Sequence, residues 1–184
     1  MLTGEIPSSL GQLQNLVDLD LNANQLQGNI PPEITNLVLL QYLDLKDNIL
    51  SGSLPDNLGN LVNLQVLSVQ RQKDSSTGNI GLSGPIPTSM GSLVNLVECR
   101  IQGNALSGSL PTEMATMTSL SFLNVVGNLL TGQVSPFFGG WSSLGEFYLS
   151  ANQITGSIPS ELCALGALIE PSCTVTCGCC ATCV

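Results

Sequence analysis

The amino-acid sequence predicts an α/β repeat solenoid: a right-handed horseshoe with a parallel β-sheet on its concave side and short helical or 3₁₀ segments on its convex side. Three observations predict it. The chain realigns with itself every 24 residues from Leu13 onward. Each unit begins with an alternating stretch, such as Leu16-Val17-Asp18-Leu19-Asp20-Leu21, whose apolar residues recur with strand period two. Glycine then recurs at 4, 28, 52, 84, 108, 132 and 156, and proline at 7, 31, 55, 87, 111 and 159, punctuating a return path.

Regular units span 13–36, 37–60, 93–116, 117–140 and 141–164, and residues 1–12 are the second half of an earlier unit. The unit starting at 61 runs to 92, eight residues longer than the rest. One column holds Leu16, Leu40, Leu64, Leu96, Leu120 and Leu144; another holds Asn24, Asn48, Asn104, Asn128 and Asn152. A lone strand of this kind cannot bury its own apolar face, so the units must stack and their strands pair in parallel. Parallel strands need a crossover, which the stretch from Leu26 to Asn36 supplies through Gly and Pro turns and a short helical or 3₁₀ piece. Each Asn is expected to point inward and satisfy backbone groups of the turning chain. Gln72 stands where that Asn is expected, and the proline at Pro136 is displaced by one. The polar segment 70–81 (QRQKDSSTGNIG) leaves the frame and reads as an exposed insertion loop beside the concave face.

The repeated L-x-x-L-x-x-L-x-L-x-x-N-x-L-x-G-x-I-P pattern resembles the leucine-rich repeat family, in the 24-residue class common among plant receptor-like and secreted proteins. The resemblance covers roughly residues 2–168. It implies a recognition role without catalysis, in a protein at the cell surface or outside the cell.

Composition narrows the function further. Charged residues make up 9% of the chain, against about 25% in a typical soluble domain. Four Lys+Arg against thirteen Asp+Glu give a net charge of −9, which leaves no basic footprint for nucleic acid. Histidine is absent, removing Ser-His-Asp and Cys-His catalysis, His-containing zinc sites and proximal-His haem. No cofactor is implied. No apolar stretch is long enough for a transmembrane helix, and the N-terminus has neither the charged nor the apolar region of a signal peptide. The start in mid-repeat makes the chain read as a fragment of a longer protein.

The cysteines divide into one and six. Cys99 occupies the inward strand column shared with Leu19, Leu43, Leu67 and Leu123, so a small apolar role in the core is expected. Cys163, Cys173, Cys177, Cys179, Cys180 and Cys183 crowd the segment 163–184, where the repeats stop. They suggest a disulfide-stapled cap over the end of the apolar stack, although six cysteines allow 15 pairings. A metal–thiolate cluster on Cys177, Cys179, Cys180 and Cys183 is the competing reading. The tail resembles the ends of secreted diatom-type repeat proteins, and it and the repeat class favour an oxidising compartment. Pro171 falls at an inward strand position, where the ladder should end after six strands.

The outward strand positions are the candidate site: Asp18, Asp20, Tyr42, Asp44, Lys46, Arg71, Glu98, Arg100, Phe122 and Tyr148. They read as a graded face, acidic toward the N-terminus, basic in the middle and aromatic toward the C-terminus. Exposed Arg and aromatic residues are the types that dominate binding hot spots, which points to a protein, peptide or glycan ligand. The bland alternative is that these positions are simply wet. An enzymatic reading would use Asp18, Asp20 and Asp44, but glycosidic chemistry needs a cleft that raises one carboxyl's pKa. Two other readings compete: a structural or adhesion spacer in a larger surface protein, and ice or surface binding. The last would use the column Thr3, Gln27, Ser51, Ser83, Ser107, Thr131 and Thr155 on the opposite edge. The sequence leaves the oligomeric state open.

Overall fold

The computed structural model describes residues 1–74, 78–171, 175–176 and 178. The chain winds into a right-handed solenoid of stacked units. Its concave side is a parallel sheet of short strands, Asp18–Asp20, Tyr42–Asp44, Val66–Ser68, Glu98–Arg100, Phe122–Asn124, Glu146–Tyr148 and Leu168–Glu170, in unbroken sequence order. The convex side is built from 3₁₀ turns, among them Ser8–Gln12, Pro32–Asn36, Thr88–Ser92, Thr112–Thr116 and Pro136–Gly140. The core lies between these layers. Leu40, Leu64, Leu96 and Leu120 of the first leucine column are completely buried. Trp141 replaces the Leu or Met of the other units and fills the C-terminal core with two further aromatic rings. Phe138 stacks on it at 4.2 Å, and Phe147 meets it edge-on at 5.6 Å. Its indole N–H is satisfied by the Met114 carbonyl at 2.6 Å.

The asparagine column forms the internal ladder that the spacing implies. Asn48 accepts from Leu26 N–H at 3.0 Å and donates to the carbonyls of Leu21 and Leu45, both at 3.0 Å. Asn104, Asn128 and Asn152 repeat the pattern, accepting from Leu82, Leu106 and Leu130 N–H. Gln72 does the same work. It accepts from Leu50 N–H at 3.2 Å and donates to the Leu45 carbonyl at 2.8 Å, completely buried. The longer amide reaches the same partners, so this departure leaves the ladder intact.

Three features differ from the sequence expectation. The concave sheet has seven strands among the described residues rather than six, because Leu168–Glu170 adds to the edge beyond Glu146–Tyr148 before Pro171 ends the pairing. The stretch after each Asn is extended rather than a plain turn. Thr3–Glu5, Gln25–Asn29 and Ile49–Ser51 pair into a lateral parallel sheet, and Ser83–Pro85, Ala105–Gly108 and Leu129–Leu130 form another. The side-chain amide that fixes each Leu N–H holds this stretch straight. Finally, the insertion is not an exposed loop throughout. Gln70 and Gln72 are buried members of the regular frame, and the excess adds a short antiparallel pair, Lys73–Asp74 with Asn79–Ile80.

A small-residue column lets the convex turns approach one another: Gly11, Thr35, Gly59, Gly91, Ala115 and Gly139. A Cβ on Gly59 would collide with the Ser89 carbonyl oxygen, and one on Gly91 with that of Glu113. Cys99 is completely buried between Leu67 and Leu123 of the adjacent strands, and its thiol is free. Burial pushes that thiol up to about 12.

Two outcomes follow from this packing. Gly59→Ala should lower stability by about 1–3 kcal/mol through overpacking, although Ala is the better helix former, and urea denaturation will measure the loss. Cys99 should resist alkylation in the native protein and label fully in denaturant, read by mass spectrometry; labelling of Cys99 under native conditions would contradict the packing.

Candidate functional site

Strand register turns the outward residues into columns across the concave sheet. Asp18, Tyr42, Val66, Glu98, Phe122, Glu146 and Leu168 stand side by side on successive strands. Two residues along, Asp20, Asp44, Ser68, Arg100, Asn124, Tyr148 and Glu170 do the same. Period-two geometry puts both columns on the side opposite Leu19, Leu43, Leu67, Cys99, Leu123, Phe147 and Ile169, which are buried.

In the N-terminal half, the expectation of an open acidic surface needs correction. Asp18 and Asp20 are exposed, but Asp44 is buried. Its carboxylate accepts from the Ser68 hydroxyl at 2.8 Å, Lys46 N–H at 3.0 Å and the Tyr42 hydroxyl at 3.1 Å, and pairs with the Lys46 ammonium at 2.9 Å. Burial alone would push the Asp44 carboxyl up. The bonds from the Lys46 backbone, the Lys46 ammonium and the Ser68 hydroxyl outweigh it and hold the group below its ordinary value. In return, the bond to Asp44 raises Lys46, while burial and then the neighbouring Asp44 charge raise Tyr42. Asp44 has a local task as well: Asp20 and Asn124, in the same column, accept the N–H two residues on at 3.0 and 3.1 Å, closing the strand end as Asp44 does. A carboxylate held charged in this way is the opposite of a general acid.

The middle of the face is shaped by ion pairs. Arg71 reaches back to Asp47 of the preceding unit at 2.8 Å, with 63% of its side chain exposed. Both residues sit in left-handed backbone, at φ 57° and 54°. Arg100 pairs with Glu98 at 2.8 Å. A shallow depression of about 440 Å³ lies between these groups, lined by Val66 and Ser68 and by charged side chains of both signs, among them Lys46, Arg71, Arg100, Asp44 and Glu98.

The C-terminal half carries a continuous row. The Arg100 guanidinium lies 4.0 Å from the centre of the Phe122 ring, and Phe122 packs 5.6 Å from Tyr148 at a tilt of 45°. Tyr148 donates to Glu146 at 2.7 Å, a bond that, together with burial and the Glu146 and Glu170 charges, raises the phenol above its ordinary value. The structure therefore brings Glu98, Arg100, Phe122 and Tyr148 together, clusters Tyr42, Asp44 and Lys46, and leaves Asp18 and Asp20 at the first strand. Sequence reasoning counted Glu146 among the outward concave positions without singling it out, and did not place Glu170 there. Strand parity marks Glu146 readily, whereas Glu170 needs the seventh strand.

Of the six tail cysteines, Cys163 is disulfide-bonded and closes the short helix Ser160–Cys163. Cys173, Cys177, Cys179, Cys180 and Cys183 lie outside the described residues. In the C-terminal segment, Val175–Thr176 pairs in parallel with Gly156–Ser157 of the last unit.

The sequence model of the Leucine Rich Repeat family matches residues 15–37, 39–61 and 143–165. Among curated proteins, none matches significantly. Solved structures do. A plant peptide hormone receptor, RGFR1 in complex with RGF2, is 33% identical with a TM-score of 0.88, covering 96% of this chain and 27% of its own. The BIR3–SERK2 complex from Arabidopsis thaliana includes a chain 32% identical with a TM-score of 0.63, covering 76% of this chain and 70% of its own. A plant ice-binding protein is 25% identical with a TM-score of 0.69, covering 96% of this chain and 70% of its own. The chain thus spans little more than a quarter of the hormone receptor's length. With the repeat columns, the stacked parallel strands and these likenesses together, the chain belongs to the leucine-rich repeat family, in its plant type.

Proposed function

We propose that this chain is a non-enzymatic recognition module whose concave sheet binds an extended peptide or protein segment. The observation that carries the reading is the Arg100–Phe122–Tyr148 row, three neighbouring side chains of hot-spot type held on a rigid sheet by their own contacts. Pre-organised side chains lose little freedom on binding, so more of the contact energy reaches affinity. Similar structures support the class: one is a receptor holding a peptide hormone and another is a complex between two proteins. A glycan is the other ligand whose rings would suit the aromatic row. The receptor-like relatives and the disulfide at Cys163 support placement outside the cell or at its surface, with the remaining tail cysteines completing a disulfide cap.

A second reading has its own support. Thr3, Gln27, Ser51, Ser83 and Ser107 lie in the lateral strands, with Thr131 and Thr155 beside strand ends, and a plant ice-binding protein is similar in fold. Against it, the hydroxyls of Ser83 and Thr155 turn back to the carbonyls of Gly52 and Gly132, which occupies their donors. Ice shaping or thermal hysteresis by the purified chain would favour this reading, and normal ice growth would remove it.

On the recognition reading, Phe122→Ala or Arg100→Ala should weaken ligand binding by about 1–3 kcal/mol while leaving thermal stability nearly unchanged. Glu33→Ala and Glu113→Ala, on the convex side, should leave affinity alone. Calorimetric titration checks both. Convex substitutions that abolish binding would refute the concave site, and an unresponsive concave face would favour a spacer role.

A further inference from the structure

We infer that the ligand of the concave sheet is a basic one: an extended segment with Lys or Arg toward each end and an uncharged middle. The inference rests on the recognition reading above and adds the chemistry of the partner. Among the described side chains, the concave side holds three cations, and each is already matched. Lys46 pairs with Asp44 at 2.9 Å, Arg71 with Asp47 at 2.8 Å and Arg100 with Glu98 at 2.8 Å. The basic middle expected from the sequence is therefore neutral as folded.

The uncompensated charge is negative and sits at the two ends. Asp18 and Asp20 occupy the first concave strand, both exposed. Glu146 and Glu170 occupy the sixth and seventh strands on either side of Tyr148, both partly exposed. Their hydrogen bonds do not neutralise them, since Asp20 accepts from the Asn22 N–H and Glu146 from the Tyr148 hydroxyl. Among the described residues, no ion pair reaches any of the four.

An anionic ligand would have to pull Arg71 or Arg100 away from its partner and then meet carboxylates at both ends. A cationic ligand disturbs none of the internal pairs and finds two separate acidic anchors. The strands between them are spaced about 4.8 Å apart, so the anchors lie about 24 Å from each other, the reach of an extended segment of seven or eight residues at about 3.3 Å per residue. Between the anchors the ligand would cross Val66 and the Phe122 ring, where apolar or small residues fit. The chain's net charge of −9 adds long-range attraction for the same partner.

The test uses the full chain and an array of random peptides of about nine residues, long enough for that span. The expected result is enrichment of Lys and Arg near both peptide ends. Affinity for the selected peptides should fall as ionic strength rises past the point where the Debye length is about 10 Å. A variant carrying Asp18→Asn, Asp20→Asn, Glu146→Gln and Glu170→Gln removes the charges while leaving one accepting oxygen at each position, enough for the bonds that Asp20 and Glu146 accept. It should bind those peptides about tenfold more weakly or worse. The salt titration of the unaltered protein gives the answer independently if that variant folds poorly. Selection of neutral or acidic peptides that lose binding in Phe122→Ala would overturn the basic ligand and leave the recognition reading standing. Failure to select any peptide would overturn both.

Discussion

At every turn of this chain, two backbone carbonyls and an N–H are carried into an apolar interior with no sheet or helix partner to receive them. A buried, inward-pointing side-chain amide meets that need, because it alone among neutral side chains offers two donors and an accepting carbonyl together. Asn48, Asn104, Asn128 and Asn152 each bond to their own turn and to the preceding unit, and Gln72 shows that the chemistry matters more than the length of the side chain. Each amide also sets the distance between one unit and the next. The leucine columns, the lateral strands and the close convex turns all take their register from it.

The same register produces the concave face. A residue two positions along a strand, or one strand across, falls at a fixed place, so side chains far apart in sequence can be made to meet. Arg100, Phe122 and Tyr148 come from three successive strands and form one row. Asp44 shows the other side of this arrangement. Placed in an outward column, it closes its own strand end, fixes Lys46 and is covered by Tyr42 and Ser68, so an outward direction does not make a residue available.

The solenoid was legible because periodicity over many copies outweighs any single ambiguous residue. The leucine and asparagine columns, the 3₁₀ return and the core position of Cys99 follow from spacing alone. What escaped was non-periodic or depended on a neighbour's size. Leu168–Glu170 has an apolar centre but no Asn after it, so it did not look like a strand. The excess in the unit starting at 61 blurs where the regular frame breaks off, so the loop reading of 70–81 overlaps Gln70 and Gln72 even though Gln72 holds the Asn position. Strand parity says which side Asp44 faces, but whether Tyr42 and Ser68 close over it depends on side-chain reach across strands. For the face itself, the sequence showed Arg71 and Arg100 as free charge, since their partners Asp47 and Glu98 become partners only once the backbone has chosen a rotamer and a turn.

The amide ladder has a mechanical side. Each buried amide joins its unit only to the one before, so a pull along the stack loads these joints in series, and the chain yields by peeling from an end, one unit at a time. Most such steps release 24 residues of chain. The unit from 61 to 92 releases eight more, adding about 26 Å of extended length to a single step at roughly 3.3 Å per residue. The extra antiparallel pair that follows Gln72 thereby marks one rung of an otherwise uniform spring.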